Sequence, residues 1–222
     1  MIPPYKNRTA EQIINQEYID DSAWHIHAAL SWIDYAERNR APVVLHYAAF
    51  HLRLGIELLW LKIFSASRGS DFGIDDYTRA LKSSTTLYKL IDKFAPNYRK
   101  FAEFDQIIQT LDTRVHPPTI VWDIARLRKI HGRCGEYLLH LQEGGENGYR
   151  SQTWVTDRMR FLKDSAEWMW GLMTTRGNLV IYHPDGLFAE TRLVWESFLK
   201  GETDAEGARI RLQLIHPLVQ GR

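Results

Sequence analysis

Apolar residues recur at helical spacing through the stretch HYAAFHLRLGIELLWLKIF, which runs from His46 to Phe64. The residues that step by four and three, and therefore share one side of a helix, are Leu45, Ala49, Leu52, Ile56, Leu59 and Ile63. Pro42 fits the first turn of this helix, and Arg68-Gly69-Ser70 ends it. Because a stripe of this length must be covered by other helices, the sequence predicts a helical bundle.

Polar side chains follow an adjacent flank of the same predicted helix. Arg53 and Glu57 lie one turn apart there, and His46 precedes them on the same side. One interpretation is an ion pair at the edge of the core. The other is a groove facing a second helix or a ligand, because charged groups among aromatic residues are costly to bury without a partner. We favour a supporting network of His46, Arg53 and Glu57 beneath the helix that carries Arg126 and His131.

The rest of the chain predicts further helices and then a change of pattern. Thr9 and Gln12 have capping-box spacing for a helix that begins at Ala10. The further predicted helices cover residues 22–38, 77–94, 98–111, 120–142 and 153–174, and Pro96 separates the helix over 77–94 from the helix over 98–111. Beyond residue 177, NLVIYH and the period-two segment ARIRLQLIHPL indicate strands, while LFAETRLVWESFLKG is ambiguous between strand and helix. We therefore expect a mainly α protein, an antiparallel helical bundle over residues 1–176 with a small β-containing C-terminal tail over residues 177–222.

Composition excludes several classes of function. The net charge of +1 predicts no global electrostatic field, so a nucleic acid would have to bind a local basic stripe. The single cysteine, Cys134, rules out a disulfide framework within the chain and favours a cytoplasmic location. No unbroken apolar stretch reaches the ~20 residues of a membrane span. The sequence also lacks metal-ligand clusters and the glycine motifs of nucleotide-binding folds, so we expect no metal and no cofactor.

The strongest basic cluster is the segment ARLRKIHGRCGEY, from Ala125 to Tyr137. Its basic residues are Arg126, Arg128, Lys129 and Arg133, and His131 falls on the apolar stripe of the same predicted helix. An arginine that holds phosphate beside an imidazole that moves protons near neutral pH is an arrangement suited to phosphate chemistry. A solvated basic face with a core histidine is the structural alternative.

These residues resemble the HEPN superfamily. The long helix has the form HxRxxIExxxxK, through His51, Arg53, Ile56, Glu57 and Lys62, and a later helix carries Arg-x4-His at Arg126 and His131. The resemblance covers about residues 10–142. It implies a homodimer and, in catalytic members, a metal-independent endoribonuclease of toxin–antitoxin or phage-defence (antiviral) systems. Arg126 would then hold the scissile phosphate, His131 would act as acid or base, and Arg128, Lys129 and Arg133 would bind RNA.

Two other functions fit the same sequence. The chain could be a non-catalytic helical adaptor that docks a larger protein through the tryptophan-rich helix near Trp154 and Trp168, or through the C-terminal tail. It could also sense a small molecule between bundle helices near His46 and Trp60. Three observations distinguish these functions. A ribonuclease cleaves RNA, an adaptor copurifies with a stable protein partner, and a sensor shows a ligand-induced rise in melting temperature.

Overall fold

A computed structural model of the chain describes residues 4–67, 75, 78, 82, 84–111, 120–139, 152–175 and 188–220. Within those residues the protein is mainly α-helical and contains no strand. A 3-10 turn, Pro42–Val44, precedes the third helix. The α-helices are α1 (Ala10–Ile14), α2 (Ser22–Asn39), α3 (Leu45–Ser67), α4 (Ser84–Leu111), α5 (Ile124–Leu139), α6 (Gln152–Thr175), α7 (Ala189–Lys200) and α8 (Ala205–Gln220).

The chain divides into two compact units, each made of two segments. Unit 1 comprises Met1–Leu59 and Ala125–Thr175, and unit 2 comprises Trp60–Ile124 and Arg176–Arg222. One of these boundaries falls at residue 176, where the composition of the sequence changes. The division of the chain into a bundle and an appendage stays a prediction.

Local hydrogen bonds explain where the first two helices begin. The side chain of Thr9 accepts from the backbone N–H of Gln12, and the Gln12 side chain accepts from the backbone N–H of Thr9. The predicted capping box is therefore confirmed. Asp21 caps α2 in the same manner, because its carboxylate accepts from the N–H of Ala23.

The core of unit 1 is built on α3, and the helical stripe predicted from the sequence is confirmed. Its members from Leu45 to Leu59 are completely buried. Helix α2 approaches α3 closely at Gly55, whose carbonyl accepts from the hydroxyl of Ser22 at 2.7 Å. A Cβ at Gly55 would lie 2.8 Å from Cδ1 of Ile26, so only glycine fits this contact without a shift.

Unit 2 contains the long helix α4, which corrects the prediction of two helices separated by Pro96. The proline lies inside one continuous helix. Proline within a helix costs about 3 kcal/mol, since it removes a hydrogen bond and crowds the preceding turn. Phe101 and Phe104 are buried beyond it, and each such burial contributes about 1.5–3 kcal/mol, which offsets that cost.

The C-terminal part of unit 2 corrects the predicted β-containing tail. The segment ARIRLQLIHPL belongs to helix α8, and the ambiguous segment that precedes it forms α7, which ends at Gly201 with a φ of 77°. Ala208 and Leu212, one turn apart, pack against the aromatic cluster of Phe104, Trp195 and Phe198. The buried residues of this segment therefore follow helical spacing. Ile210 and Leu214, which belong to the period-two pattern, face solvent instead. The predicted strand NLVIYH lies outside the described residues.

Among the described residues, no helix combines the length and apolarity that crossing a membrane requires.

Candidate functional site

A buried network joins helices α3 and α5 within unit 1. Nε2 of His131 lies 2.7 Å from Oε1 of Glu57, and Nε of Arg53 lies 3.1 Å from the same oxygen. Because a carboxylate only accepts, both side chains donate to it. The side chain of His131 is 3% exposed, whereas those of Glu57 and Arg53 are 26% and 32% exposed. Glu57 therefore connects an enclosed imidazole to a guanidinium that reaches solvent.

Two features of the chain permit this network. Burial opposes ionisation of Glu57, but hydrogen bonds from His131 and Arg53 outweigh it and hold the pKa of the carboxyl below its usual value. Gly135 leaves room for the guanidinium, because a Cβ there would lie 2.9 Å from Nη1 of Arg53. Glu57 is thus a carboxylate at neutral pH, and it fixes the orientation of the His131 ring.

Arg126 and His131 lie on different sides of α5. Positions five apart on a helix differ by about 140° around its axis. Arg126 is exposed, and its guanidinium lies 4.0 Å from the ring centre of Trp168 on α6. Within one chain, the structure therefore places the arginine on a surface and the imidazole in the core.

The remaining basic residues of α5 divide between two sides of the helix. Lys129 and Arg133 are exposed on the same side as Arg126, at spacings of three and seven residues. The guanidinium of Arg133 lies 4.4 Å from the ring centre of Phe161. Arg128 is half-buried and points away from this side. We call Arg126, Lys129 and Arg133 the basic face of α5.

The two α6 rings that contact the basic face, Phe161 and Trp168, belong to one aromatic stripe of that helix. Trp154, Phe161 and Trp168 are spaced by seven residues, so they occupy one side of the helix. Trp170, on another side, contacts His27 of α2, with 5.5 Å between ring centres. Aromatic residues of the tryptophan-rich helix therefore contact α5 and α2 within unit 1.

The most buried charged residue described is Arg158, which the sequence did not single out. It is 1% exposed, and its guanidinium packs against the rings of Tyr137 and Trp154 at 4.9 and 4.8 Å. The sequence does contain the signal. Arg158 lies between Trp154 and Leu162 in a run of four-residue steps, which puts an arginine on the apolar side of the helix.

The predicted supporting network of His46, Arg53 and Glu57 is only partly assembled. Nδ1 of His46 lies 2.9 Å from the carbonyl oxygen of Val43, within its own turn. Burial and the nearby charge of Arg158 lower the pKa of His46, although the hydrogen bond to Val43 opposes that change. The hydrogen bond of His46 therefore stays within its own turn, whereas Arg53 and Glu57 join His131.

A second histidine contact was also missed. The Nδ1 atoms of His25 and His51 lie 3.0 Å apart, so one donates and the other accepts. Burial, followed by the charge of His25, lowers the pKa of His51 to about 4, and both rings are neutral at neutral pH. Two residues 26 positions apart give no sequence signal for such a pair.

The described side chains form no cluster of three or more His, Cys, Asp or Glu residues suited to a metal ion. The lone cysteine, Cys134, is completely buried, and burial raises the pKa of its thiol to about 12. A thiol with so high a pKa is a poor nucleophile at neutral pH.

Comparison of the chain with protein-family models, curated proteins and solved structures gave no match.

Proposed function

We propose that this chain is an HEPN-like, RNA-associated protein that binds RNA through the basic face of α5. The observation that supports the proposal is the stacking of exposed arginines on aromatic rings. Arg126 covers Trp168 and Arg133 covers Phe161, with Lys129 between them in sequence. Three positive charges are thereby collected on one surface of a chain whose net charge is only +1.

This arrangement suits RNA because it joins the two interactions that nucleic-acid binding uses. Exposed cations neutralise phosphates, and guanidinium planes stack on bases that are splayed out of a single strand. An arginine that already lies on a ring loses less side-chain entropy when it binds. Single-stranded RNA is therefore the class of ligand that we propose.

The same geometry favours binding without cleavage by the Arg-x4-His pair. A ribonuclease would need His131 to exchange a proton with the substrate, but its Nε2–H is donated to Glu57 and the ring is enclosed. Catalysis would require release of that hydrogen bond and approach of an arginine to the imidazole. The catalytic form of the proposal is that the protein cleaves RNA as a metal-independent ribonuclease of a toxin–antitoxin or phage-defence system.

The proposal extends to assembly and location. We propose a homodimer in the cytoplasm, with the bundle helices antiparallel. The order of contacts supports the last point, because Arg126 meets Trp168 whereas Tyr137, later on α5, meets Trp154, earlier on α6. Light scattering measures the mass of the particle in solution, and a monomer at micromolar concentration would exclude the dimer.

The experiment is binding of fluorescent single-stranded RNA, measured by anisotropy over a range of salt concentrations in the presence of EDTA. We expect the double variant Arg126→Ala/Arg133→Ala to weaken binding about tenfold and to flatten the salt dependence, by about 0.7 in log–log slope for each lost phosphate contact. Arg211→Ala, which removes an exposed arginine from unit 2, is the charge control and should bind as the wild type does. Equal affinity of the double variant and this control would exclude the basic face of α5.

The integrity of the RNA in the same samples decides between binding and cleavage. Intact RNA after prolonged incubation supports the binding form. Cleavage in EDTA that His131→Ala abolishes, with an unchanged circular dichroism spectrum, would establish the catalytic form. Cleavage that persists in this variant comes from another site or from a contaminant.

A second candidate function, a protein-binding adaptor, is favoured by one apolar surface. Tyr47 and Phe50, three residues apart on α3, are 55% and 51% exposed, and Val43 of the preceding 3-10 turn is 70% exposed. Exposed aromatic residues on one side of a helix are typical of protein interfaces. The adaptor form predicts that a partner protein copurifies with the wild type from the native host and is lost with Phe50→Asp.

A further inference from the structure

The large apolar side chains that unit 1 exposes are confined to two short segments. Among the described residues of that unit they have exposed fractions from 51% to 70%, and they are Ile14, Tyr18, Ile19, Val43, Tyr47 and Phe50. The first three lie between the end of α1 and the start of α2, and the last three lie at the start of α3 or in the turn before it. The described residues of α5 and α6 add none to this set. Such concentration is typical of an interface, because single exposed apolar residues are ordinarily scattered.

Ring contacts join the two segments into one surface. The rings of Tyr18 and Trp24 lie 5.0 Å apart between centres, and those of Trp24 and His51 lie 5.6 Å apart. The ring of His51 then lies 5.5 Å from that of Phe50. The indole N–H of Trp24 donates to the carbonyl oxygen of Glu17 at 2.7 Å, which fixes the segment before α2 against that helix. Tyr18 and Phe50 are therefore parts of one continuous surface.

This surface extends along both α2 and α3. The Nδ1 atoms of His25 and His51 lie 3.0 Å apart, whereas Trp32, later on α2, meets Tyr47, earlier on α3, with 5.1 Å between ring centres. Helix α2 has 18 residues, so it is about 27 Å long. We call this the α2–α3 surface, and its exposed apolar members, from one end to the other, are Tyr18, Phe50, Tyr47 and Val43.

The two ends of the α2–α3 surface carry opposite charges. Glu17 and Asp20 flank Tyr18, and the carboxylate of Asp20 accepts from the Tyr18 hydroxyl at 3.2 Å. At the other end Arg40 follows the last residue of α2, three positions before Val43. All three charged side chains are exposed, and within the part of the chain that the structure describes none of them forms an ion pair with a charged residue of opposite sign.

This order of charges is self-complementary. In a symmetric dimer, a two-fold axis through the middle of the surface reverses the second copy, so each end meets the opposite end of the other chain. Arg40 of one copy then lies against Asp20 and Glu17 of the other, and this contact occurs twice. Near the axis, Tyr47 and Phe50 pack on the same residues of the second copy.

The size of the surface also fits a second copy. A large apolar side chain that is about half exposed presents on the order of 100 Å², so the exposed set of unit 1 presents about 600 Å². With its rim of charged side chains, the surface approaches the roughly 800 Å² that each partner contributes to a standard interface. Contact with a second copy removes this apolar area from water, which drives association.

We propose that the α2–α3 surface is the dimer interface of this protein, with a second copy of the chain as its occupant. This rests on the homodimer proposed above, and it assigns that dimer to a particular surface. None of the residues named in the interface belongs to α5 or α6. Variants of the interface therefore leave unchanged the arginines that we propose bind RNA.

The test measures the mass of the full chain by light scattering and the dissociation constant of the dimer by sedimentation. We expect Phe50→Asp to weaken the dimer at least about tenfold, because it puts a carboxylate in the apolar middle of the interface. The matched control is Leu193→Asp, which changes a 66% exposed leucine of α7 and should leave the dissociation constant unchanged. A dimer as tight in Phe50→Asp as in the wild type overturns this interface but not the homodimer. A wild type that stays monomeric at micromolar concentration overturns both.

Charge reversal at the two ends keeps the test decisive if Phe50→Asp does not fold. Arg40→Glu and Asp20→Arg should each weaken the dimer about tenfold at low salt, because two ion pairs are lost and like charges face each other. The double variant Arg40→Glu/Asp20→Arg reverses both ends and should restore the wild-type dissociation constant to within about threefold. Circular dichroism confirms that each variant is folded. A double variant that associates no more tightly than either single variant contradicts the assigned pairing of the two copies.

A different protein is the alternative occupant of this surface. If the wild type from the native host contains one copy of the chain bound to another protein, and Phe50→Asp releases that protein, the surface belongs to the adaptor function and the proposal is overturned. Dimerisation of the pure wild type that is lost in Phe50→Asp, kept in Leu193→Asp and restored in the double charge variant supports it.

Discussion

Glu57 and His131 are separated by 74 positions in the sequence, yet a 2.7 Å hydrogen bond joins them and ties α3 to α5. The carboxylate also accepts from Arg53, so one oxygen serves two donors. The bond holds the imidazole in the core of unit 1. Its strength can be measured, because each partner can be replaced separately.

We expect Glu57→Ala to lower the free energy of unfolding by about 1–3 kcal/mol, because it leaves the enclosed N–H of His131 without an acceptor. Glu196→Ala is the control. Glu196 forms an exposed pair with Arg192 at 3.3 Å, and its loss should cost less than about 1 kcal/mol. Urea denaturation measures both values. The double variant Glu57→Ala/His131→Ala should cost less than the sum of the single variants, and strict additivity would contradict a direct contact.

Gly55→Ala should destabilise the protein by about 1–3 kcal/mol, because the new methyl group overlaps Cδ1 of Ile26 and nears the backbone oxygen of Ser22. The matched control is Gly171→Ala, where a Cβ would meet nothing within 4 Å. Alanine favours the helix over glycine there and should add up to about 1 kcal/mol. Opposite shifts of the two melting temperatures are the expected result, and equal shifts would mean that α2 and α3 do not pack at Gly55.

Stability should fall as the pH drops from about 6.5 towards 4. The pKa of His51 is about 4 in the folded protein and about 6.5 in the unfolded chain, so the unfolded chain binds more protons in that interval. Protons then favour unfolding, by an amount on the order of 3 kcal/mol at the acidic end. His51→Gln should show a smaller change in melting temperature over the same interval. An equally steep decline in this variant would assign the effect to other groups.

Gly201→Ala should destabilise unit 2 by about 1–2 kcal/mol, because the residue ends α7 with a φ of 77°, where a Cβ is strained. Space is not the cause, since a Cβ there would meet no atom within 4 Å. Gly201→Asn should cost less, because asparagine tolerates the left-handed region. Thermal unfolding of the two variants separates backbone strain from a simple change of volume, and identical costs would argue against strain.

Much of the fold could be predicted because helices are specified locally. The apolar stripe of α3 follows from its own spacing, and the starts of α1 and α2 follow from Thr9 and Asp21. Prediction failed where packing outweighed a local pattern. Pro96 indicated a break, but α4 continues through it, and the alternation around Leu212 indicated a strand, although the aromatic cluster of unit 2 selects the helical stripe.

Predicting the candidate site was harder, because its contacts join residues that are distant in sequence. The sequence marked Arg126 and His131 as a pair, but five positions on a helix turn them to different sides, and the structure separates them. It also grouped His46 with Arg53 and Glu57, whereas the Nδ1 atom of His46 lies 2.9 Å from the carbonyl oxygen of Val43. Arg158 itself could have been noticed as an arginine on an apolar side, but only the structure shows that no carboxylate among the described residues pairs with it.

By itself, the sequence determined the helical class of the protein, the buried side of α3 and the concentration of basic residues on α5, since these depend on residue order within single helices. Only the tertiary structure decided that Glu57 meets His131, that arginines of α5 stack on the rings of α6, and that Arg158 is enclosed with no carboxylate among the described residues paired to it. Those relationships depend on the approach of separate helices, where the fit of side chains rather than sequence spacing sets the distances.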